Sequence, residues 1–185
     1  CHFCYFRVYT EKNSQEIEDY LTLLAREMEL YSRSPAITSR PLNFVYFGGG
    51  TPSLLAAEEV HSIIHACRQA FGVAPDAEVT LEANPETVTA DTLRSFRHAG
   101  VTRLSFGVQS FRDDELRRLT RLHGADRARA AYREARAAGF DNVSLDLMMW
   151  LPGQQVSEWL ESVDEAIALG PEHLSLYMLE VYPNS

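Results

Sequence analysis

Five short segments rich in β-branched or aromatic residues alternate with longer segments of helical spacing. That alternation constrains the fold more than any other feature of the sequence. Asn43–Phe47, Glu78–Glu82, Arg103–Gly107, Asn142–Leu147 and His173–Met178 each predict a buried strand. Ile17, Leu21, Leu24 and Met28 form one helical stripe, and Val60, Ile63, Ile64, Cys67 and Phe71 form another. Helix starts are expected at Ser14, Thr89 and Ser157-Glu158, and left-handed helix ends at Gly72, Gly100, Gly139 and Gly170. The predicted order is one helix, then strand–helix alternations that end on a strand. No linker interrupts it, so residues 1–185 read as a single domain. Alternation of this kind implies an α/β fold with a parallel sheet, either a barrel or an open doubly wound sheet. In both, the chemistry sits just past the C-terminal ends of the strands.

Composition narrows the function. The chain is 45% hydrophobic with 9 Phe and 8 Tyr, enough for a core and too apolar for disorder. No run approaches the roughly 20 apolar residues that cross a bilayer, so no membrane span is expected. Lys+Arg at 17 against Asp+Glu at 26 leaves a net charge of −9, which argues against a nucleic-acid surface. Three cysteines suggest a reducing compartment and a cytoplasmic location over a disulfide framework. The sequence opens on Cys1 and closes on Tyr182-Pro183-Asn184-Ser185, and is expected to be a piece of a longer protein.

The unusual residues stand where the fold class puts the chemistry. Cys1-His2-Phe3-Cys4 can clamp a metal or act as a dithiol. Helical spacing does not follow it directly, which disfavours a thioredoxin-type motif. Cys67 belongs to an apolar stripe and reads as a small core residue, so a structural zinc site lacks its second pair. An iron–sulfur cluster needs three or four thiolates, and the missing one would lie upstream of residue 1. Gly48-Gly49-Gly50-Thr51 after the first strand lets a ligand approach the backbone closely, and lacks the Lys of a phosphate loop. Glu82 closes the next strand and is suited to an amine or a ribose diol. Gln109 closes the third. Asp146 lies inside an otherwise apolar strand, where an unpaired carboxylate is costly, so it should face a polar site or a partner such as Arg121. His123 reads as a satisfied loop histidine in preference to a catalytic one.

Cys1-x-x-Cys4-Tyr, Gly48-Gly-Gly-Thr-Pro-Ser53, Glu82-Ala-Asn-Pro85, Ser105-Phe-Gly-Val-Gln-Ser-Phe111, Leu145-Asp-Leu and Leu151-Pro-Gly-Gln154 follow one another in this order. Together they resemble the oxygen-independent coproporphyrinogen III oxidase-like branch of the radical S-adenosylmethionine (SAM) enzymes, over nearly the whole chain. The resemblance implies a parallel-stranded partial TIM barrel of the (β/α)6 type, lacking its first strand and a C-terminal domain in this fragment. It also implies a [4Fe–4S] cluster on Cys1, Cys4 and an upstream Cys, and reductive cleavage of SAM to a 5′-deoxyadenosyl radical that acts on a second molecule. By the same resemblance, Phe3 lies beside the cluster and Gly49, Gly50 and Thr51 line SAM. Glu82 contacts the first SAM, and Gln109, Arg121 and Asp146 hold a second SAM or its equivalent. The choice of Arg121 among the neighbouring arginines rests on the resemblance alone.

The branch includes porphyrinogen decarboxylases, two-SAM methyl transfer or cyclopropanation enzymes acting on sp²-carbon metabolites, and heme-binding chaperones without turnover. An electron donor such as flavodoxin is the implied partner of the enzymes. Two departures bear on the choice. Met149-Trp150 stand where relatives carry Tyr-Gly, and Tyr5-Phe6-Arg7 stand where true coproporphyrinogen oxidases have a further Cys. The second argues against porphyrinogen decarboxylation itself.

Overall fold

The computed structural model describes residues 3, 4, 9, 11–37 and 40–180. Helices α1 (Ser14–Ser32), α2 (Ala57–Phe71), α3 (Ala90–Ala99), α4 (Asp113–Arg118), α5 (Ala125–Ala137) and α6 (Val156–Leu169) alternate with strands β1 (Leu42–Phe47), β2 (Val73–Ala83), β3 (Arg103–Gln109), β4 (Val143–Met149) and β5 (His173–Met178). The strands pair in sequence order, every pair parallel, as a sheet curled into a half-barrel. No helix among the described residues is long and apolar enough to cross a membrane.

All five predicted strands form, and the helical segments follow the expected caps with small shifts. Asn13, not Ser14, caps α1: its side chain accepts the Glu16 amide at 3.0 Å while the Glu16 carboxylate accepts the Asn13 amide at 3.2 Å. Thr89 caps α3 as expected, and Gln155 opens α6 with its amide on Glu158. Gly100 and Gly170 close α3 and α6 in the left-handed conformation. Gly72 differs: its φ of 69° comes with an extended ψ of 142°, so the chain leaves α2 straight into β2. Two helices, α4 and α5, stand between β3 and β4, where one was expected.

The core lies on the helix side of the sheet. Val79, Leu81 and Ala83, then Leu104, Phe106 and Val108, then Val143, Leu145 and Leu147 alternate toward the helices. They pack on Val60 and Ile64, on Leu93 and Phe96, and on Ala128, Ala131 and Ala135, which bring α5 close because their side chains are short. Each fully buried Leu or Phe contributes about 1.5–3 kcal/mol to folding. Cys67 is buried as expected, its thiol 3.7 Å from the Met28 sulfur of α1.

Candidate functional site

Strand alternation sends the residues between those core positions to the concave face. There they are polar: Glu82 lies in register with Ser105, Ser105 with Ser144, and Asp146 with Ser175. Closed barrels of this class usually fill that space with branched aliphatic side chains. At the C-terminal mouth, the Glu82 carboxylate accepts the Tyr46 hydroxyl at 2.7 Å and the Gly49 amide at 3.0 Å. Burial and the bond to Glu82 both push the Tyr46 phenol above its usual range, so it stays a donor. Gly48 makes that pair possible: a Cβ there would sit 2.6 Å from the Tyr46 ring and 3.3 Å from the Glu82 carboxyl carbon. Gly49, at φ 117°, and Gly50 face open space within 4 Å of where a side chain would start, a backbone cradle that a ligand can reach.

Asp146 sits deeper on the same face. Its carboxyl accepts the Ser105 hydroxyl at 3.3 Å and bonds Ser175. Burial pushes it above the ordinary carboxylate range, the nearby Glu82 charge adds to this, and the serine bonds and His173 only partly offset the rise. Its partners are therefore serines of the neighbouring strands. Arg121, the expected partner, is engaged elsewhere.

Arg121 lies between α4 and α5, its side chain only 4% exposed. Its Nη2 donates to Asn84 Oδ1 at 2.7 Å and to the Gly107 carbonyl at 3.0 Å, and lies 3.7 Å from Glu86 Oε2. His123, with no exposed side-chain surface, meets the same Glu86 carboxylate through Nδ1 at 2.8 Å and the Val108 carbonyl through Nε2 at 3.1 Å. Burial alone would raise the Glu86 pKa. The His123 bond, its own backbone amide and the Arg121 charge outweigh burial and hold it low. The β3–β4 register shifts between Gly107 and Gln109, a bulge that leaves Gln109 at φ 69°. A Cβ on Gly107 would meet Gln109 Nε2 at 3.0 Å, Asn84 Oδ1 at 3.3 Å and Arg121 Nη2 at 3.8 Å, so two candidate ligand contacts, Gln109 and Arg121, converge with Asn84 over one glycine.

A second buried network explains two of the sequence motifs. Glu115, fully buried on α4, accepts Ser110 Oγ at 2.5 Å and Gln154 Nε2 at 2.9 Å. Ser162 of α6 lies 3.3 Å from the same Ser110 hydroxyl. The loops after β3 and β4 are thereby tied to one carboxylate.

Cys1 lies outside the described residues. Cys4 is exposed, and Phe3 beside it packs on Leu119, Met148 and Leu151, at the mouth end of β4. Among the described residues no three His, Cys, Asp or Glu side chains come together as a metal site, so a cluster at Cys4 draws its other thiolates from elsewhere. An exposed thiol at the mouth, an open glycine backbone and a polar concave face fit a thiolate-held cluster with a polar organic ligand beside it.

The structure therefore brings Glu82 together with Gly49, and Gln109 with Arg121, while Thr51 joins through the Asn84 amide at 3.4 Å. Sequence reasoning missed Tyr46, Ser175 and the pairing of Glu86 with His123. Tyr46 and Ser175 share the concave alternation of Glu82 and Asp146, a signal that could have found them. Glu86 and His123 are 37 residues apart and left no such signal.

Residues 1–166 match the radical SAM superfamily. The chain belongs to that superfamily, within its HemN/HemW-like branch. It is 37% identical over its whole length to the heme chaperone HemW of Haemophilus influenzae and 38% identical to that of Escherichia coli, covering 49% and 48% of those proteins. The coproporphyrinogen III oxidase HemN of Escherichia coli, a radical SAM enzyme, superposes with a TM-score of 0.83 at 28% identity, over 99% of this chain and 42% of that one. The chain thus spans about half the length of the curated relatives it matches. Membership implies a [4Fe–4S] cluster and SAM.

Proposed function

We propose that this chain is the part of a HemN/HemW-like protein that holds a [4Fe–4S] cluster on Cys1 and Cys4, with Phe3 beside it, and binds SAM at the mouth of the half-barrel. When bound and reduced, the cluster supplies the electron that cleaves SAM to a 5′-deoxyadenosyl radical, which takes hydrogen from a second molecule. The observation that carries this reading is the convergence of Glu82, Asp146 and the open Gly49-Gly50 backbone on one polar face.

In this reading Gly49, Gly50 and Thr51 receive SAM along the backbone. Glu82, already bound to Gly49 and Tyr46, keeps lone pairs for an amine or a ribose diol. Asp146 holds its proton more readily than an exposed carboxyl, so it serves a ligand oxygen as donor or a hydroxyl as acceptor. Gln109 and Arg121 hold a second SAM or its substrate equivalent. The partners are an electron donor of the flavodoxin kind and a porphyrinogen or an sp²-carbon metabolite. The names of the bacterial relatives favour a second reading, in which the same scaffold carries heme without turning over a substrate.

The test uses the full-length protein, prepared without oxygen. The parent should assemble about four irons per chain and form 5′-deoxyadenosine when reduced, and Cys4→Ala should lose both. A parent that takes up heme one-to-one, with no 5′-deoxyadenosine above background, decides for the carrier. Failure to assemble a cluster after reconstitution refutes the cluster assignment.

A further inference from the structure

Two side chains of the loop between α4 and α5 grip consecutive carbonyls of the β3 bulge. Arg121 holds Gly107 O at 3.0 Å and His123 holds Val108 O at 3.1 Å. The next residue, Gln109, is the one forced to φ 69°, a conformation that a non-glycine residue keeps only when its surroundings over-determine it. Behind the grip stands Glu86, 2.8 Å from His123 Nδ1 and 3.7 Å from Arg121 Nη2, so one carboxylate backs both. Glu86 belongs to the segment that leaves β2 and also supplies Asn84, whose side chain binds Arg121. The network therefore joins the mouth ends of β2 and β3, with Glu86 and His123 standing behind Arg121.

We propose that His123, backed by Glu86, is a positioning residue: by holding Arg121 and the Val108 carbonyl it fixes the strained Gln109 in its mouth-facing conformation. Any buried histidine needs partners for its ring nitrogens; here the partners are the carboxylate that also faces Arg121 and the carbonyl that precedes Gln109. Because His123 is fully enclosed, it acts through Arg121 and Gln109 and does not touch the ligand. The proposal rests on the reading above that Gln109 and Arg121 hold a second SAM.

A double-variant cycle on the full-length, cluster-loaded protein tests it, with SAM itself as probe and equilibrium dialysis without reductant as readout, so that no turnover is involved. The parent should bind two SAM per chain, and His123→Ala, Arg121→Lys and Gln109→Ala should each weaken the second binding event roughly tenfold, the size of one hydrogen bond to a charged group. The His123→Ala/Arg121→Lys double variant should bind no worse than the weaker single one, because both remove the same grip. His123→Gln, which retains a donor for Val108 O, should recover part of the affinity, and it carries the test should His123→Ala not fold. Full additivity, or parent-like affinity in His123→Ala despite a lower melting temperature, overturns the positioning role alone. Parent-like binding by both Arg121→Lys and Gln109→Ala overturns the ligand assignment of those residues, and the positioning role with it.

Discussion

Gly107→Ala separates the stability of the barrel from the integrity of its mouth. Gly107 lies in β3 opposite Asp146, and its missing side chain leaves room for Gln109, Asn84 and Arg121, whose nearest atoms would stand 3.0, 3.3 and 3.8 Å from a new Cβ. Alanine in a strand gains roughly 0.5–1 kcal/mol over glycine in backbone entropy. Against that, the ends of Gln109 and Asn84 must retreat by a few tenths of an ångström, loosening the bond from Arg121 to Asn84 at a cost of about 1 kcal/mol. The two nearly cancel, so the melting temperature should move by less than about 4 °C. Affinity for the second SAM should fall roughly tenfold to a hundredfold, the loss of one charge-assisted contact. Thermal unfolding and equilibrium dialysis of the full-length protein measure the two quantities. A large drop in melting temperature would show that these side chains cannot yield. Unchanged affinity would show that they do not touch the ligand.

Two further outcomes follow from the site. Asp146 has a folded pKa raised above its ordinary value of 3.8, so its stabilising contribution is full below that value and is lost as pH rises through the folded one. Asp146→Asn should therefore become more stable relative to the parent on going from pH 4 to pH 7 in denaturant titrations; a constant difference refutes the burial argument. Trp150 is held at φ 64° and is 68% exposed. Trp150→Gly should stabilise the fold by roughly 0.5–1 kcal/mol, the left-handed strain relieved less the entropy glycine adds to the unfolded chain. Destabilisation in the same titration would mean that the ring contributes packing.

The strands were legible because their residues are, but their edges were less so. The segment around Glu78–Glu82 extends back to Val73 in the structure, past Pro75, a residue that ordinarily argues against a strand interior. It is tolerated near the start of β2, where the pairing with β1 is irregular. Asp146 stood out because a carboxylate in an apolar strand needs a polar face, and Glu82 because it closes a strand at the mouth. Arg121, His123 and Glu86 did not stand out. Arg121 and His123 stand in a stretch rich in arginine and Glu86 in a short turn, and their roles arise from contacts across 14 to 37 residues that no periodicity records. The same holds for Glu115, whose burial depends on Gln154 arriving from 39 residues away.

The polar concave face bears on thermodynamics as well as on recognition. The helices supply an apolar core on one side of the sheet only; the side that barrels elsewhere fill with aliphatic chains is lined here by Glu82, Ser105, Asp146 and Ser175. Whatever binds there completes the interior, and its occupancy is linked to folding by mass action. A ligand at a hundred times its dissociation constant adds about 2.7 kcal/mol to the unfolding free energy. Resistance of this domain to heat and proteolysis should thus rise and fall with the supply of its ligand, making turnover of the polypeptide a readout of cofactor status.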